Sequence, residues 1–509
     1  MNSLKSSLTI LVLSIVFLLS CGNSQTEVEN PLPNIIYILA DDLGYGDISH
    51  NNPNSKIQTP NIDGLIAEGM QFTDAHSTSS VCTPTRYSIM TGNYAWRSRL
   101  KQGVLWSYGE SLIEKDQLTV PAMLKEKGYK TGVVGKWHLG LGWPIKEEYK
   151  DSVNRRTADI NELGLIKNLN GDWVDFSQPL KSGPWNYGFD FNFVLPASLD
   201  IPPYCYIEDD RLVVIPDSLT EGSHIEGDKS GPFWRPGRIS KGFEFDHVLP
   251  DFLDKSKEFI SSHQSGSAPF FLYLPLAAPH TPWVPTDTYK DKSGAGLYGD
   301  FVQMIDEKIG QLLSYLREHN LEENTLVIFT SDNGPYWLPD KIEAFGHKSA
   351  YHFRGMKADI HEGGHRIPFV VKWPGKIKPS TESNIPTTLA NLMATLAELT
   401  EATLEPEFGK DSFSILPELL DQPERSSQAP PIIHHSSLGH FAIRKGPWKL
   451  IEKRGSGGFT QPYVIEPKEG EPLGELYNLE LDISEQNNLY LANPDIVSEL
   501  TYLLDSIRK

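Results

Sequence analysis

The stretch Pro33-Asn-Ile-Ile-Tyr-Ile-Leu-Ala-Asp-Asp42 decides the fold predicted for this chain. Its first eight residues form a continuous apolar run rich in isoleucine, which is typical of a central parallel strand buried on both faces. Adjacent carboxylates such as Asp41 and Asp42 repel each other unless a cation lies between them, and ligand sites in open α/β sheets lie at the carboxyl ends of strands. The pair therefore indicates a metal site; the start of a loop with a helix cap is the alternative.

A second strand end carries the same kind of side chain. The run Thr325-Leu-Val-Ile-Phe-Thr330 is predicted to be a buried strand, and Ser331-Asp332-Asn333 follows directly. Hard divalent cations prefer oxygen ligands, whereas zinc favours nitrogen and sulfur. Because oxygen donors recur at two strand ends, the sequence predicts one calcium or magnesium site made by Asp41, Asp42, Asp332 and Asn333.

The stretch Val81-Cys-Thr-Pro-Thr-Arg-Tyr-Ser-Ile-Met-Thr-Gly92 places a thiol four residues before an arginine. Pro84 suits the first turn of a helix, so Cys82 is predicted to lie at a helix N-terminus. The exposed N–H groups there favour a thiolate or a bound anion, and Arg86 lies about one turn further on. This is an oxyanion-binding arrangement; a buried core cysteine beside a surface arginine is the alternative.

Three further segments carry candidate catalytic side chains. In Lys130-Thr-Gly-Val-Val-Gly-Lys-Trp-His-Leu-Gly140, the side chains of Lys136 and His138 are predicted to point to the same face of an extended segment. A surface lysine beside a packed histidine is the alternative. His280 follows the buried strand predicted for residues 269–275, and Lys357 lies in a glycine-containing loop before the strand predicted for residues 369–373.

Helical and strand patterns alternate from residue 33 to 400, which predicts an α/β fold with a doubly wound, mostly parallel sheet and helices on both faces. Residues 141–250 lack long periodic stretches and are predicted to be loops and short strands over the scaffold. The stretches 200–205 and 231–238 are candidate substrate loops, and ordered packing is the alternative. We predict a catalytic domain at residues 33–407. Residues 408–509 are predicted to form a smaller antiparallel α+β subdomain with a closing helix.

The amino terminus is predicted to direct export. Residues 1–21 contain an apolar run from Leu8 to Leu19 and end in Leu18-Leu-Ser-Cys21, which resembles a lipoprotein signal peptide. A membrane-spanning helix is the alternative to a signal peptide, but the run is shorter than the ~20 apolar residues that such a helix needs. Cys21 would then carry a lipid anchor and residues 22–32 would form a tether. The predicted location is the periplasm or surface of a bacterium.

Composition excludes some classes of function. The chain has 509 residues, 39% hydrophobic residues and a formal net charge of -20. This charge argues against nucleic-acid binding and requires a local basic cluster if the substrate is an anion. Of the three cysteines, Cys205 is predicted to stay unpaired, so no disulfide framework is expected.

The string Cys82-Thr-Pro-Thr-Arg86 with Thr91-Gly92, together with Gly135-Lys-Trp-His-Leu-Gly140, resembles the formylglycine-dependent (type I) sulfatases of the alkaline-phosphatase-like superfamily. Thr85 departs slightly from that family, in which Ser or Ala is more usual. The resemblance implies a large, mostly parallel sheet sandwiched by helices. It also implies that a maturation enzyme oxidises Cys82 to formylglycine and that the metal is calcium, with magnesium as the alternative.

The same resemblance implies a role for each candidate. The metal would lie between Asp41, Asp42, Asp332, Asn333 and residue 82, where the hydrated formylglycine is the nucleophile. Arg86, Lys136 and Lys357 would hold the sulfuryl oxygens. His280, assisted by Lys357, would protonate the leaving oxygen, and His138 would help to break down the sulfated intermediate by taking a proton.

The sequence therefore predicts a sulfuric ester hydrolase that removes sulfate from a sulfated carbohydrate, either a polysaccharide or a glycosaminoglycan fragment. Two alternatives are a phosphate or phosphonate monoester hydrolase on the same scaffold and a non-catalytic, lipid-anchored glycan-binding protein.

Overall fold

The computed structural model describes residues 32–152, 171–223, 230–264, 268–422, 424 and 429–509. The predicted signal peptide, Cys21 and the tether up to residue 31 lie outside this part of the chain. Within it, none of the helices combines the length and the hydropathy that crossing a bilayer requires. Residues 33–509 form one compact unit.

The strands of the described ranges are, in chain order, β1 (Asn34–Asp41), β2 (Met70–Phe72), β3 (Ala75–His76), β4 (Lys130–Lys136), β5 (Phe191–Leu195), β6 (Ile207–Glu208), β7 (Arg211–Leu212), β8 (Ser218–Thr220), β9 (Gly237–Ile239), β10 (Phe270–Pro279), β11 (Thr325–Ser331), β12 (Phe369–Lys372), β13 (Thr381–Ser383), β14 (Thr387–Thr388), β15 (Ile432–His435), β16 (Phe441–Lys445), β17 (Trp448–Ile451) and β18 (Glu475–Asn478).

The α-helices of the same ranges are α1 (Pro60–Glu68), α2 (Cys82–Thr91), α3 (Val120–Glu126), α4 (Val248–His263), α5 (Gly296–Glu318), α6 (Pro339–Phe345), α7 (Glu362–His365), α8 (Leu392–Leu399), α9 (Leu416–Leu419) and α10 (Pro494–Arg508).

One ten-stranded sheet of the described chain has the order β13-β2-β12-β11-β1-β10-β4-β5-β6-β7. Its five central strands, β11, β1, β10, β4 and β5, are parallel. Antiparallel pairs at β11–β12, β12–β2, β5–β6 and β6–β7 make the flanks mixed. The α/β fold with a parallel centre is therefore confirmed, and the antiparallel strands lie towards the two edges.

Helices cover both faces of the sheet, as the α/β alternation predicted. The apolar residues of α1, α4 and α5 form one continuous core with Ile36, Ile38 and Leu272 of the sheet. On the other side, α2, α3 and α8 contact one another, and α3 contacts β4. Helix α2 is buried along its whole length, including polar side chains such as Thr85 and Ser88, so its neighbours fix it on all sides.

The C-terminal region contains the predicted antiparallel sheet. Strands β15 to β18 pair in sequence order, and α10 contacts β16 and β17 through a core that includes Leu450, Leu500 and Leu504. This sheet belongs to the same compact unit as the large sheet. The domain boundary at residues 407 and 408 stays a prediction.

A buried polar network connects the C-terminal sheet to the rest of this unit. Nε2 of His76 lies 2.6 Å from an oxygen of Asp74, and Nδ1 of His76 lies 3.0 Å from Nδ1 of His365. Lys449, on β17, donates to His365 and to Glu362, each over 3.0 Å. The ring of His434, on β15, stacks on the ring of His365 at 4.0 Å between centroids. Polar contacts therefore join the C-terminal sheet to β3 and α7.

Candidate active site

The ends of β1 and β11 meet at one edge of the sheet, because these strands are parallel neighbours with Ala40 opposite Ser331. The backbone N–H of Asp42 donates to Oδ1 of Asp332 over 3.2 Å. Nδ2 of Asn333 donates to Oδ1 of Asp42 over 2.7 Å. The structure thus brings together the four oxygen-donor residues that the sequence placed in one metal site.

Helix α2 delivers Cys82 to the same edge. The helix begins at Cys82, with Pro84 in its first turn, and ends at Gly92, whose φ of 65° lies in the left-handed region that glycine adopts without strain. Sγ of Cys82 lies 3.6 Å from Oδ1 of Asp41. The predicted helix N-terminal position of the thiol is therefore the one that the structure shows.

Arg86 and Lys136 lie behind the carboxylates and are fully buried. Arg86 donates through Nε and Nη2 to Oδ2 of Asp332, over 3.0 and 2.7 Å, and through Nη1 to the carbonyl oxygen of Lys136. Nζ of Lys136 donates to Oδ2 of Asp41 over 2.7 Å. In this geometry both side chains compensate carboxylate charge, and their predicted contact with the sulfuryl oxygens stays a prediction.

A cavity of about 490 Å³ opens over the strand ends. Asp42, Cys82, His138, His280 and Lys357 all line it. Nζ of Lys357 donates to Oδ2 of Asp42 over 2.7 Å. The volume lies within the roughly 300–1,000 Å³ range of ligand pockets. Four of the six predicted catalytic residues thus share the cavity, and the other two, Arg86 and Lys136, lie behind the carboxylates.

The two histidines of the cavity are held in different ways. Nδ1 of His280 donates to the carbonyl oxygen of Thr281 over 2.6 Å, and its Nε2 lies 3.7 Å from Oδ2 of Asp42. Nε2 of His138 donates to the carbonyl oxygen of Leu105 over 2.7 Å, while its buried Nδ1 has no partner among the described residues. The bond to Leu105 assigns the proton to Nε2, so Nδ1 of His138 is left as a hydrogen-bond acceptor.

Two of the residues that line the cavity, Asp42 and His138, have a strained backbone conformation. Asp42 has a φ of 67° and His138 a φ of 55°, in the left-handed region of backbone conformation that few residues other than glycine adopt. Such strain costs of order 1–3 kcal/mol each and is retained where the surroundings fix it, often at functional sites. In this conformation both side chains line the cavity.

The charges at this edge strongly perturb one another. Burial alone would raise the pKa of Asp41, but the charges of Lys136, His280, Arg86 and Lys357 hold it well below its usual value. Burial and the adjacent charge of Asp41 raise the pKa of Asp332. Burial, with the charges of Lys136 and Arg86, holds the pKa of His138 well below that of free histidine. His138 is therefore neutral near pH 7.

The donor set fits a hard divalent cation. Oxygens of Asp41 and Asp42, Sγ of Cys82 and a ring nitrogen of His280 all lie within 4.8 Å of one another. Oδ1 of Asn333 is buried and has no hydrogen-bond partner in the described ranges, although the amide nitrogen is satisfied. An unpaired buried carbonyl oxygen beside crowded carboxylates is the environment that a cation with oxygen ligands stabilises.

A comparison with models of protein families identifies the family of this chain. The family model described as Sulfatase matches residues 33–402. The chain belongs to the sulfatase family. It is a type I sulfatase, a sulfuric ester hydrolase of the group that depends on formylglycine and a divalent metal. The family predicted from the sequence is confirmed.

Similar proteins include two named sulfatases and one solved structure. The chain is 33% identical to an N-acetylgalactosamine-6-O-sulfatase of Bacteroides thetaiotaomicron, over 97% of each chain. It is 31% identical to human arylsulfatase A, over 92% of this chain and 87% of the human one. A solved Bacteroides thetaiotaomicron structure, reported with work on the metabolism of multiple glycosaminoglycans, superimposes with a TM-score of 0.78 and 31% identity. That match covers 94% of this chain and 99% of the other.

The structure of this sulfatase also places the two candidate substrate loops. Asp200 and Arg235, one from each loop, line the cavity and form an ion pair, and the backbone N–H of Arg235 donates to the carbonyl oxygen of Asp200 over 3.1 Å. Oδ1 of Asp200 lies 4.0 Å from Nδ1 of His280. The sequence favoured these loops because they are rich in proline and aromatic residues.

Sequence reasoning missed other residues that line the cavity of the sulfatase. These are Trp106, Tyr336, Phe459 and Tyr463, from three distant parts of the chain. It also missed Asp359, whose fully buried carboxylate lies two residues from Lys357. A signal existed for Asp359, since it stands in the same loop as Lys357. No periodic pattern marks the four aromatic residues, because their proximity depends on how the C-terminal region packs.

Proposed function

We propose that this sulfatase removes sulfate esters from a sulfated saccharide such as a glycosaminoglycan fragment, and that 6-sulfated N-acetylgalactosamine is the first substrate to test. The observation that carries the proposal is the position of Cys82, at the floor of a cavity that is also lined by Asp42 of the predicted metal site, by Lys357 and by two histidines. The 33% identity to an N-acetylgalactosamine-6-O-sulfatase over 97% of both chains supports the choice of sugar.

The environment of Cys82 explains why modification matters. Burial raises the pKa of the Cys82 thiol to about 12. The helix N-terminus predicted a thiolate, but the loss of hydration outweighs that field, so the unmodified side chain is a neutral thiol near pH 7. The hydrated aldehyde of formylglycine at position 82, made by a maturation enzyme, supplies the oxygen nucleophile that the thiol does not.

Asp41, Asp42, Asp332 and Asn333 would hold the cation, and calcium is our first candidate with magnesium as the alternative. A bound cation supplies positive charge for the nucleophile and for the sulfuryl oxygens. Without it, three carboxylates face Arg86, Lys136 and Lys357, so the charges of these groups balance. A divalent cation makes the site net positive, which favours a sulfate ester in a chain whose overall charge is -20.

The chain's own residues carry the remaining steps. Lys357 is the cationic side chain at the cavity floor and binds a sulfuryl oxygen by a charge-assisted hydrogen bond, with Lys136 and Arg86 in support behind it. His280, with both ring nitrogens protonated, donates the proton on Nε2 to the leaving sugar oxygen, because the proton on Nδ1 is held by the carbonyl oxygen of Thr281. His138, neutral and with Nδ1 unprotonated, accepts a proton when the nucleophile is regenerated.

The proposal includes the location. The sequence of residues 1–21 supports export and lipid attachment at Cys21, so the sulfatase would act in the periplasm or at the surface of a bacterium. Scavenging of sulfated polysaccharides is consistent with that place.

The test combines peptide mass spectrometry with two cysteine variants. In active protein produced with a maturation enzyme, the peptide that contains residue 82 should carry the aldehyde, and Cys82→Ala should abolish sulfate release without unfolding the protein. Cys205→Ala is the matched control, because Cys205 is also a buried free thiol and lies outside the lining of the cavity. It should keep most of the activity.

Fully active protein with an unmodified thiol at residue 82 would overturn the mechanism. Faster turnover of an aryl phosphate than of an aryl sulfate would favour the phosphate or phosphonate monoester hydrolase. If protein that carries formylglycine at residue 82 binds a sulfated saccharide but releases no sulfate, the non-catalytic glycan-binding protein is favoured.

A further inference from the structure

The mouth of the active-site cavity carries exposed aromatic side chains. Trp106, Phe459 and Tyr463 are 41%, 46% and 44% exposed and line the same cavity as Cys82. Tyr336 lies among them, edge to face with Phe459 at 5.9 Å between ring centroids. We name Trp106, Tyr336, Phe459 and Tyr463 the aromatic rim. The residues at the floor of the cavity are buried by contrast: Cys82 is 2% exposed and His280 is 8% exposed.

Two of the four residues of the aromatic rim, Phe459 and Tyr463, lie on one C-terminal loop, residues 454–465, which we name the rim loop. The rim loop closes on itself: the N–H of Ile465 donates to the carbonyl oxygen of Arg454 over 3.1 Å, and the N–H of Gly457 donates to the carbonyl oxygen of Tyr463 over 2.8 Å. Phe459 and Tyr463 are therefore presented by an ordered turn and not by a long unsupported segment.

Asp359 connects the rim loop to the loop that carries Lys357, residues 354–361, which we name the catalytic loop. Its buried Oδ1 accepts from the N–H groups of Phe459 and Thr460, over 2.7 and 3.0 Å, and its Oδ2 accepts from the hydroxyl of Thr460 over 2.5 Å and from the N–H of Met356 over 3.0 Å. Lys357, which binds Asp42, lies between Met356 and Asp359. The position of Phe459 is thus tied to the position of the catalytic lysine.

Close backbone packing supports the same connection. The N–H of Ile360 donates to the carbonyl oxygen of Ser456 over 2.8 Å. A Cβ atom at Gly458 would lie 2.3 Å from the carbonyl carbon of Ala358, so only glycine allows this approach. The rim loop is therefore held against the catalytic loop from both sides of Phe459.

Trp106, another residue of the aromatic rim, is also restrained by its contacts. The guanidinium carbon of Arg235 lies 5.2 Å from the centre of the Trp106 ring, and Arg235 is paired with Asp200. A cation over an aromatic face is an attractive contact, which restricts the indole. Trp106 and Arg235 together present an apolar face and hydrogen-bond donors at the mouth of the cavity.

We propose that the aromatic rim binds the sugar unit next to the sulfated sugar, so that the enzyme recognises at least two linked sugars. The proposal rests on the proposed saccharide function. Sugar rings expose C–H groups on their faces and hydroxyl groups at their edges, and an aromatic ring beside polar donors complements both. The sulfate must reach the buried floor at Cys82, so the sugar that carries it fills the inner cavity and a linked sugar extends to the exposed mouth.

The test compares two types of substrate, a monosaccharide and disaccharides, on four variants. The substrates are a 6-sulfated N-acetylgalactosamine and disaccharides in which a second sugar is linked to it on either side. Phe459→Ala and Trp106→Ala should lower kcat/KM for at least one disaccharide about 10-fold (~1.4 kcal/mol) or more relative to the monosaccharide, because each variant removes an aromatic contact that only the second sugar makes. The loss should lie mainly in KM.

Tyr502→Ala is the matched control. Tyr502 is 73% exposed on α10 and lies outside the lining of the cavity, so its loss should leave the substrate ratio unchanged. Thr460→Val tests the fastening by Asp359, since it removes the hydroxyl donor and keeps the shape of the side chain. It should reproduce part of the KM effect of Phe459→Ala.

The proposal is overturned if wild-type enzyme cleaves the monosaccharide and every disaccharide with equal kcat/KM, or if Phe459→Ala and Trp106→Ala change both substrate types by the same factor. In either case sulfate release from sugars still supports the proposed function. If converted enzyme hydrolyses an aryl sulfate and releases no sulfate from any saccharide, the proposed substrate class fails and the saccharide role of the aromatic rim fails with it.

Discussion

At the scale of single residues, His280 has the geometry of a proton donor to the leaving group. Its ring lines the cavity, and its Nδ1 is committed to Thr281, so Nε2 is the nitrogen that faces the substrate side. His280→Ala should slow hydrolysis of sugar or alkyl sulfates by ~10² to 10⁴-fold, because alkoxides leave poorly without a proton. An activated aryl sulfate should be slowed much less, since its phenolate leaves unaided. Steady-state kinetics on both substrate types measures the difference.

Lys136→Ala provides the contrast to this variant. Lys136 is a fixed charge that contacts Asp41, and its contribution is the same for every substrate. It should slow both substrate types by similar factors, on the order of ~10²-fold. Equal losses on the two substrate types for His280→Ala would contradict its role as the acid and would move that role to Lys357 or His138.

At the scale of secondary-structure elements, the metal site depends on two strand ends that neighbouring parallel strands bring together. Asp332→Ala removes one oxygen donor that β11 supplies, and should remove the bound cation and the activity together. Elemental mass spectrometry of purified protein gives the metal content. A chelator should also lower the melting temperature of wild-type protein, because a cation that binds only the folded state at 100 times its Kd stabilises it by ~2.7 kcal/mol.

Asp306→Ala is the control for that experiment. Asp306 is a buried carboxylate that accepts from backbone N–H groups at the start of α1, over 3.1 Å from Asn61 and 2.8 Å from Ile62. Its loss should destabilise α1 and leave the metal content unchanged. Full activity in metal-free wild-type protein would remove the metal from the mechanism.

The elements also show what the sequence alone could predict. Apolar runs such as residues 34–40 and 325–330 predicted buried strands because strands covered on both faces leave a continuous signal. Polar residues at those strand ends then predicted a common site, since parallel neighbours end at the same edge. Pro84 predicted the first turn of α2 with Cys82 at its N-terminus, and in the structure that helix begins at Cys82.

Features that depend on contacts between distant segments were not predictable. The antiparallel strands β12 and β2 pair across almost 300 residues of chain, and short strands such as β2 have too few residues to show a period. The rim loop lies at the cavity only because Asp359 and Gly458 fit together. The neutral state of the Cys82 thiol likewise follows from burial, which a helix N-terminal position in the sequence does not reveal.

At the scale of the whole molecule, buried histidines link the C-terminal sheet to β3 and α7 and make the fold sensitive to acid. Burial lowers the pKa of His76 and of His435 to about 4. His365 and His434, in the same region, also have pKa values well below that of free histidine because they are buried. These groups are neutral in the folded protein near pH 7.

The direction of the pH effect follows from proton binding. In the unfolded chain a histidine has a pKa near 6.5, so below that pH the unfolded state binds more protons than the folded state. The free energy of unfolding should therefore be constant with respect to these groups above about pH 7 and should fall as the pH is lowered from about 6.5 to about 4. Each shift to about 4 corresponds to roughly 3 kcal/mol by the acid end of that window.

Urea unfolding at pH 7.5, 6.0 and 5.0, with the metal concentration held constant, measures this loss. His435→Phe keeps a ring of similar shape next to Phe441 and has no group to protonate, so the free energy of unfolding should fall less steeply with acid in this variant than in wild-type protein. His319→Gln is the control, because His319 is exposed on the surface at the end of α5 and should not change the slope. If His435→Phe and wild-type protein lose the same stability between pH 7.5 and 5.0, protonation of this buried histidine is not part of the acid response. The carboxylates of the metal site would then be the groups to test.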